Sequence, residues 1–531
     1  MKPFAALLDS LSYTPGRNDK LRLLSDYFRA TPDPDRGWAL AALTDTLPFS
    51  FPIRRVLGEL ISARVDDQLF RLSRDYVGDT AETVALLWPD QQQVDEAPPS
   101  PPSLATVANE LLLIERGALA PVLAGWLDGL DVTGRWALLK FLTGALRVGV
   151  SARLAKMAVA AAWNRPVEDI EEVWHALTPP FGALFAWLEA RAPRPDTGGR
   201  PIFRPMMLAH PLADGQLDDL DLSEFTAEWK WDGIRVQVAA RGPDVRLFSR
   251  TGDEIGTSFP DVTAVSWGNV VADGELLIVR DGDVAPFNDL QKRLNRKVVT
   301  PKLARDYPAH IRFYDILEHQ GEDLRSLSFA ERRTRLVEWL GERSPGPYDI
   351  SELVPIVSRE ALNEIWARTR DDGIEGLMLK RRDSPYLAGR PAGHWYKWKR
   401  APLTADCVLM YAQRGSGRRS SYFSDFTFGA WRRAADGRRE LVPVGKAYSG
   451  FTDDELLELD RWVRQNGRER FGPVRAVAHE LVVEVAFDAI APSGRHKSGV
   501  AMRFPRFHRI RWDKPADEAD DLDTLEAMIV R

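Results

Sequence analysis

The hydrophobic period of the chain changes near residue 195, and this change constrains the fold more than any other feature. Up to about residue 190 apolar residues recur at every third or fourth position, as in WALLKFLTGALRVGVSARLAKMAVAAAW, which is the period of an amphipathic helix. From about residue 204 onwards they come in short runs such as IRVQVAA, IRFYDIL and ELVVEVAF, which are typical of strands. Because 531 residues are also too many for one compact domain, we predict a multidomain protein.

Composition along the chain suggests where the domains end. RAPRPDTGGRP (191–201) combines proline, glycine and arginine without periodicity, as linkers do. We predict an all-α domain over residues 1–195, an α+β domain over 196–400 and an all-β domain over 401–531, the last a small barrel of the oligonucleotide-binding type, the OB-fold. DEAPPSPPS (95–103) is expected to be an exposed loop, and the acidic tail after Pro515 a helix or a loose end.

Composition excludes several classes of protein. With 44% hydrophobic and 28% charged residues the chain is ordinary globular material, so disorder and fibrous repeats are not expected. No apolar run is long enough to cross a bilayer, and the start lacks a signal peptide, which predicts a cytoplasmic protein without a membrane partner. One cysteine, Cys407, excludes a disulfide framework and a four-cysteine zinc module. The net charge of -6 says nothing about a local basic groove.

Lys230 is the first candidate for a catalytic side chain. It lies in EWKWDGIR, where a strand-like run ends at Asp232 and Gly233. A lysine between two tryptophans at a strand end is partly removed from water, and neighbouring cations would lower its pKa further. A neutral amine of this kind can attack and form a covalent intermediate. The alternative is an ordinary strand lysine with a solvated ammonium group.

Two glutamates and two further lysines indicate a site for a nucleotide. Glu275 lies in VADGELLIV and Glu375 in DGIEGLMLK, and carboxylates near phosphates suit Mg²⁺. Lys397 and Lys399 alternate in HWYKWKR, so both amines project from one face of a strand. Two such charges repel each other unless an anion such as a triphosphate lies between them. Taken singly, each residue is better explained as a turn carboxylate or a solvated lysine at a strand edge.

Short motifs surround these residues and follow one another along the chain. They are KWDGIR (230–235), LFSRTGDE (247–254), DGEL (273–276), FYDIL (313–317), EGLMLK (375–380), WYKWKR (395–400) and the final RFPRFHRIRWDK (503–514). An ordered set is far more specific than a lone KxDG. In these motifs and their order the chain resembles the ATP-dependent DNA ligases, members of the covalent nucleotidyltransferase superfamily that also includes RNA ligases and messenger-RNA capping enzymes.

The resemblance implies a role for each matching residue. Lys230 would form a phosphoramidate with the AMP of ATP, Lys397 and Lys399 would neutralise the α-phosphate, and Arg511 and Lys514 would orient the leaving pyrophosphate. The other residues expected to contact the nucleotide are Glu228 (adenine), Arg235 and Arg250 (ribose and phosphate), Glu275 (ribose or metal), Tyr314 (stacked on the base, where the family usually has phenylalanine) and Arg390 (spaced one residue further than expected). Mg²⁺, or Mn²⁺ in its place, is expected at Glu275 and Glu375.

The same resemblance implies a reaction and partners. The α+β domain would be the adenylation (nucleotidyltransferase) domain, and the helical domain would bind DNA. The enzyme would seal nicks in duplex DNA through lysyl-AMP and an adenylated 5′-phosphate. We expect a bacterial enzyme of DNA repair, acting in the nucleoid as a monomer, with a repair helicase and a nuclease as further partners.

The contacts with DNA are expected to involve mainly its phosphates. Basic clusters lie in QKRLNRK (291–297), in residues 380–400 and in RGSGRRS (414–420). GALRVGVSARLAKMAVAAA resembles a ligase DNA-binding signature, but it is equally well explained as a packed helical hairpin with Arg147 and Arg153 at its ends. Phe504 and Phe507 are expected in the barrel core.

Other functions remain open from sequence alone. An RNA ligase or a capping-type guanylyltransferase would share the central motifs, but these enzymes generally lack the helical third and the RWDK ending. A catalytically inactive binding protein would not need Lys230, Glu275 and Glu375 together. The NAD-dependent ligases need a four-cysteine zinc module, and a P-loop ATPase needs a GxxxxGK[ST] sequence, which is absent.

Overall fold

The computed structural model describes residues 1–89, 101–144, 146–213, 215–294, 296, 298–369, 374–415, 421–433, 437–494 and 496–529. Most of the predicted loop at 95–103 and parts of the basic clusters, at 295, 297 and 416–420, lie outside these residues. The chain forms two compact units. The first contains Met1–Ala162, Pro179–Gly182 and Pro402–Arg531, and the second contains Trp163–Thr178 and Ala183–Ala401.

The segment Trp163–Thr178 falls inside the helical domain predicted for residues 1–195, yet it is part of the second unit. An ion-pair cluster links the segment to the second unit, since Glu172 lies 2.9 Å from Arg194 and 3.1 Å from both Arg204 and Arg325. The domain ends at 195 and 400 stay predictions.

The N-terminal region is helical, as its apolar period predicts. Its helices are α1 (Lys2–Tyr13), α2 (Arg17–Ala30), α3 (Asp35–Leu43), α4 (Ile53–Ser62), α5 (Asp67–Val77), α6 (Thr80–Leu87), α7 (Leu104–Leu113), α8 (Leu119–Asp128), α9 (Val132–Thr143), α10 (Ala152–Ala162), α11 (Val167–Val173) and α12 (Gly182–Leu188). Asp66, Asp79, Ser103 and Asp131 cap the first turns of α5, α6, α7 and α9 by accepting backbone N–H groups. Within the described residues no helix is long and apolar enough to cross a membrane.

The second unit is built on two sheets. Its strands are β1 (His210–Pro211), β2 (Phe225–Lys230), β3 (Ile234–Arg241), β4 (Asp244–Ser249), β5 (Val270–Arg280), β6 (Asp283–Val284), β7 (Ala309–His319), β8 (Glu322–Asp323), β9 (Tyr348–Ile350), β10 (Leu353–Val354), β11 (Gly376–Arg381) and β12 (Trp395–Lys399). Its helices are α13 (Gln216–Asp219), α14 (Pro260–Thr263), α15 (Phe287–Gln291), α16 (Pro301–Asp306), α17 (Phe329–Gly341) and α18 (Arg359–Arg368). One sheet has the order β1-β12-β11-β2-β10, and the other has the order β4-β3-β5-β7-β8, with β6 on β5 and β9 on β7.

The chain passes from one sheet to the other at the turn between β2 and β3. Gly233 in this turn packs closely on β5, since a Cβ atom there would lie 2.5 Å from the carbonyl oxygen of Leu276 and 2.8 Å from Cγ of Glu275. Aromatic side chains such as Trp267, Phe313 and Trp339 fill the core of the larger sheet. The tight turn and the packed core place the end of β2 beside β5.

In its described residues the C-terminal region is a β-sheet structure with two α-helices. Its elements are β13 (Leu403–Arg414), β14 (Phe423–Arg433), β15 (Arg439–Ala447), α19 (Asp453–Asn466), β16 (Gly467–Phe471), β17 (Val474–Val477), β18 (Val482–Phe487), β19 (Ala489–Pro492), β20 (Val500–Arg503), β21 (Arg506–Arg511) and α20 (Leu522–Ala527). The antiparallel sheet has the order β15-β14-β13-β17-β16, and β18 lies between β13 and β21. The acidic tail forms α20, whose Leu522 and Leu525 are buried in the core.

The two phenylalanines predicted for the core differ. Phe507 is buried against Phe426 and Phe451, as predicted. The prediction for Phe504 is wrong, because its side chain is 62% exposed. Phe504 adopts a left-handed backbone (φ 51°) in the turn between β20 and β21, and the guanidinium of Arg503 lies 5.3 Å from its ring.

Candidate active site

Lys230 lies at the end of β2, where three strands bring distant residues together. Its amine contacts the carboxylate of Glu375, the residue that precedes β11. In the register of the sheet, Lys230 lies opposite Gly376, and Gly376 lies opposite Lys399 of β12. Nζ of Lys399 is 3.2 Å from Oε2 of Glu375. Lys230 and Glu375 each keep 21% exposure, so this cluster can be reached by a ligand.

Glycine at position 376 allows this close approach. Its φ of 146° is unfavourable for other residues, and a Cβ atom would lie 2.2 Å from the carbonyl oxygen of Trp398. A side chain would therefore push β12 away from β11. The sequence EG at 375–376 thus combines the carboxylate with the residue that lets Lys399 reach it.

The surroundings of Lys230 combine a carboxylate with the cations that the sequence predicted. The carboxylate of Glu375 contacts the amine, and the cationic Lys397 and Lys399 lie nearby. Burial alone would raise the pKa of Glu375, yet the charges of Lys230 and Lys399 outweigh burial and hold this pKa below its ordinary value. Glu375 is therefore ionised and shared between two cations.

Positive charges surround Lys397, which lies on β12, the same strand as Lys399. Burial lowers the pKa of the Lys397 amine, and nearby cations lower it further. These cations belong to Lys399, Arg390, Lys230 and Arg250. The structure thus brings together Lys397, Lys399, Arg250 and Arg390, four of the cations that the sequence assigned to the nucleotide. Like charges held close together favour binding of an anion.

Arg235 and Glu275 face each other on β3 and β5, as the register pairs them. The guanidinium of Arg235 donates to the carbonyl oxygen of Met207 at 2.6 Å, to Asp273 at 2.8 Å and to the hydroxyl of Tyr386 at 3.1 Å. These partners fix Arg235 in place. Burial raises the pKa of Glu275 to about 7, against the opposing charges of Lys230 and Arg235.

Glu228 lies on β2, two residues before Lys230, but in a different environment. Both it and Lys380 are only 2% exposed, and Oε2 of Glu228 is 2.6 Å from Nζ of Lys380. Arg333 approaches the other oxygen at 3.5 Å. The Lys380 amine also lies 4.6 Å from the ring of Tyr314. The carboxylate expected to contact adenine is therefore held in a buried ion pair next to the expected stacking residue.

The arrangement of carboxylates fits a divalent cation that also binds phosphate oxygens. Within the described residues, no group of three or more His, Cys, Asp and Glu side chains is arranged to hold a metal. Glu275 and Glu375 are nevertheless close enough for the charge of Glu375 to raise the pKa of Glu275. Two carboxylates that repel each other are suited to bind Mg²⁺, because the charge of the cation offsets their repulsion. Phosphate oxygens would supply further ligands.

Arg511 and Lys514 lie in the first unit, at the end of β21 and just after it. Oδ2 of Asp406 in β13 lies 3.3 Å from Arg511 and 2.8 Å from Lys514. Arg511 also pairs with Asp513 at 3.0 Å. The structure therefore brings these two predicted site residues together on one carboxylate.

Several residues that support the site had no role in the sequence prediction. Asp273 is fully buried and accepts hydrogen bonds from Arg235, Gln237 (2.9 Å) and Tyr386 (2.5 Å). Asp273 and Lys380 belong to the motifs DGEL and EGLMLK, so the sequence could have identified them as site residues. Tyr386 lies 113 residues from Asp273, and no local pattern links the two.

Comparisons with known proteins agree with these motifs. Residues 206–399 match the family described as ATP dependent DNA ligase domain, and residues 419–514 match the ATP dependent DNA ligase C terminal region. The "Probable DNA ligase" of Koribacter versatilis is 34% identical over 415 residues, which cover 73% of this chain and 71% of that relative. "DNA ligase 1" of Korarchaeum cryptofilum is 30% identical over 552 residues, covering 99% of this chain and 97% of the relative.

A solved structure extends the likeness in fold. The structure named Pmar-Lig_Pre has a TM-score of 0.58 and 17% identity, and the match covers 96% of this chain and 99% of the other. At this identity the likeness concerns the fold alone. The near full-length match to the Korarchaeum protein, together with the two matched families, confirms the resemblance read from the motifs. The chain belongs to the ATP-dependent DNA ligases.

Proposed function

We propose that this chain seals nicks in duplex DNA with ATP, and that Lys230 carries the AMP between two of the steps. The observation that carries this proposal is the cluster at the end of β2, in which Lys230 and Lys399 share the carboxylate of Glu375. Lys397 and its neighbouring cations lie on the adjoining strand. An amine, a carboxylate and an anion site in one place are the elements of nucleotidyl transfer.

In the first step Nζ of Lys230, after losing a proton, bonds to the α-phosphorus of ATP. The bond from this phosphorus to the bridging oxygen breaks, and pyrophosphate leaves with the electron pair. Lys397 and Lys399 stabilise the charge that builds on the α-phosphate. The positive charges of Arg250 and Arg390 also stabilise the α-phosphate. Arg511 and Lys514 orient the pyrophosphate.

The adenosine would be held by the ring of Tyr314 and by Arg235, which its buried partners keep in position. Glu228 would support the base indirectly, because its carboxylate is paired with Lys380 beneath Tyr314. Glu275 and Glu375 would hold Mg²⁺ or Mn²⁺. Bound there, the metal supplies electrostatic stabilisation of the phosphates.

In the second step the 5′-phosphate of a nick attacks the lysyl-AMP, which frees Lys230 and forms an adenylated DNA end. In the third step the 3′-hydroxyl attacks that end, expels AMP and closes the backbone. Storage of the energy of ATP in a covalent bond explains why a lysine nucleophile is needed.

Contacts to DNA are proposed for both ends of the chain. In the helical region Arg147 adopts a left-handed backbone (φ 51°) in the loop before α10. The buried Lys20 donates to the carbonyl oxygens of Val148 at 2.5 Å and Gly149 at 3.2 Å, which fixes this loop. In the C-terminal region, which we propose is an OB-fold barrel, the exposed Phe504 beside Arg503 offers an aromatic contact.

The wider setting is also part of the proposal. We propose three domains with ends near 195 and 400, of which the first binds DNA. We further propose a monomeric enzyme of bacterial DNA repair that works in the nucleoid with a helicase and a nuclease.

The first experiment follows AMP onto the protein. With ATP labelled at the α-phosphate and with Mg²⁺, the chain should become labelled, and added pyrophosphate should remove the label. Lys230→Ala should abolish labelling, whereas Lys302→Ala, which changes an exposed lysine of α16 in the same unit, should leave it unchanged. An unlabelled wild-type chain would contradict the proposal.

A second experiment separates DNA joining from the RNA ligase alternative. Nicked duplexes with DNA or RNA strands at the nick are offered to the same labelled enzyme, and the joined product is measured. DNA should be sealed. Sealing of RNA with no sealing of DNA would favour the alternative function.

A further inference from the structure

Asp406 of β13 holds two cations that come from the last motif of the chain. Its Oδ2 atom lies 2.8 Å from Nζ of Lys514 and 3.3 Å from Nη1 of Arg511. The carboxylate is only 14% exposed. Because both contacts use one oxygen, the two cationic nitrogens lie within about 6 Å of each other.

The backbone around Asp406 is fixed independently of these cations. Its N–H donates to the carboxylate of Asp520 at 2.8 Å, and its carbonyl oxygen accepts from the N–H of Asp520 at 2.9 Å. In the sheet, Asp406 lies opposite Glu484 of β18, and Glu484 lies opposite Arg509 of β21. Asp406 is therefore a rigid reference point for the segment that ends in Lys514.

Two like charges at this distance repel each other, and the repulsion is stronger when water is partly excluded. Lys514 and Arg511 would separate if no negative charge lay between them. Arg511 has a second partner in Asp513, whose side chain is well exposed and which follows β21 in the chain. Asp406 is the partner that both cations share.

We propose that Asp406 is a positioning residue that keeps Arg511 and Lys514 side by side for pyrophosphate. The inference rests on the proposed function, in which these two cations act on the leaving group. Pyrophosphate presents anionic oxygens on two linked phosphorus atoms, so it is matched by two adjacent cations. A guanidinium and an ammonium held by one carboxylate form such a pair.

This role is confined to one part of the reaction. Pyrophosphate leaves when AMP is transferred to Lys230, and it attacks when that transfer is reversed. It takes no part in joining a nick whose 5′-phosphate is already adenylated. A change at Asp406 should therefore affect AMP transfer and its reversal, and should spare the joining of an adenylated nick.

The test uses Asp406→Asn in the full-length chain. We expect the rate of AMP transfer at saturating ATP to fall about tenfold, because the cations lose their common anchor. In the reverse reaction the KM for pyrophosphate should rise. Joining of a chemically adenylated nick by the same preparation should stay within about twofold of wild type, which also reports an intact fold. Asp406→Glu, which keeps the charge, should retain more of the AMP-transfer rate than Asp406→Asn.

The matched control is Asp488→Asn, which removes a carboxylate that lies 2.9 Å from Arg506 of the same strand β21. This variant should leave every rate unchanged. A wild-type rate of AMP transfer in Asp406→Asn would overturn the inference, and so would an equal loss of nick joining. Absence of AMP transfer in the wild-type chain would instead contradict the proposed function itself.

Discussion

Two glutamates of the same sheet each lie between two cations, yet their surroundings differ. Glu375 is shared by Lys230 and Lys399, and we call it the open glutamate because its side chain keeps 21% exposure. Glu228 is shared by Lys380 and Arg333, and it is almost completely buried. Glu228 lies two residues before Lys230 on β2, and Glu375 precedes Gly376, which lies opposite Lys230 in the register. Sequence motifs assigned both to the nucleotide site.

The same chemical group, a carboxylate, therefore has two different roles in this sheet. A buried carboxylate cannot meet a ligand without losing its partners, and breaking such a pair is costly. The open carboxylate can exchange a lysine for a metal or a phosphate-bound cation at a lower cost than the buried one, because its ion pairs are partly screened by water. We therefore expect Glu375 to act in the reaction and Glu228 to act through the fold.

The largest expected difference is in AMP transfer. Glu375→Gln should slow labelling of the chain by about a hundredfold, because a charge that faces the reacting amine is lost. Glu228→Gln should slow it by less than about tenfold when compared at equal folded fraction, because its effect on the base is indirect. Single-turnover labelling with α-labelled ATP measures both.

An equally severe loss of AMP transfer in a well-folded Glu228→Gln protein would contradict this distinction between the two glutamates. It would mean that Glu228 leaves its buried pair to contact the nucleotide. Circular dichroism and thermal melting of both variants serve as the control for folding.

The next prediction concerns stability. Lys380→Met should reduce the free energy of unfolding by about 3 kcal/mol, because it leaves the charge of Glu228 buried without its main partner. Lys399→Met, the matched change beside the open glutamate, should alter the free energy by less than about 1 kcal/mol. Urea unfolding followed by tryptophan fluorescence measures the two values. Equal losses would contradict the distinction between buried and open pairs.

The smallest expected effect is a pH dependence of ATP binding. The pKa of Lys397 is lowered by burial and by neighbouring cations, so its amine loses charge at a lower pH than an exposed lysine would. Because the anion needs the charged form, the KM for ATP should rise as pH increases through the alkaline range. In Lys397→Arg the guanidinium stays charged, so the part of this rise that Lys397 causes should disappear. An identical KM profile in the variant would show that Lys397 does not face the phosphates.

The sequence was sufficient to predict much of this molecule, because motifs and strand periods are local. The helical N-terminal region, the strands that carry Lys230, Lys397 and Lys399, and the family all follow from short patterns. Alternation along HWYKWKR also predicted that both lysines share a strand face. Local patterns of this kind report which way a side chain points.

Local patterns do not report which distant residue will be the partner. The contact of Glu375 with Lys230 depends on a register between strands 145 residues apart. The same limit explains why the pairing of Asp406 with Lys514 and that of Asp273 with Tyr386 had no signal. Phe504 was placed in the core because of its residue type, whereas a left-handed turn directs it to solvent.

The central claim is that one amine, Nζ of Lys230, carries the AMP. The most direct measurement is to form the adduct with ATP and Mg²⁺, digest the protein and locate the added AMP by mass spectrometry. We expect the modification on the peptide that contains Lys230 and on no other lysine. AMP found on Lys397, Lys399 or any residue other than Lys230 would contradict the claim.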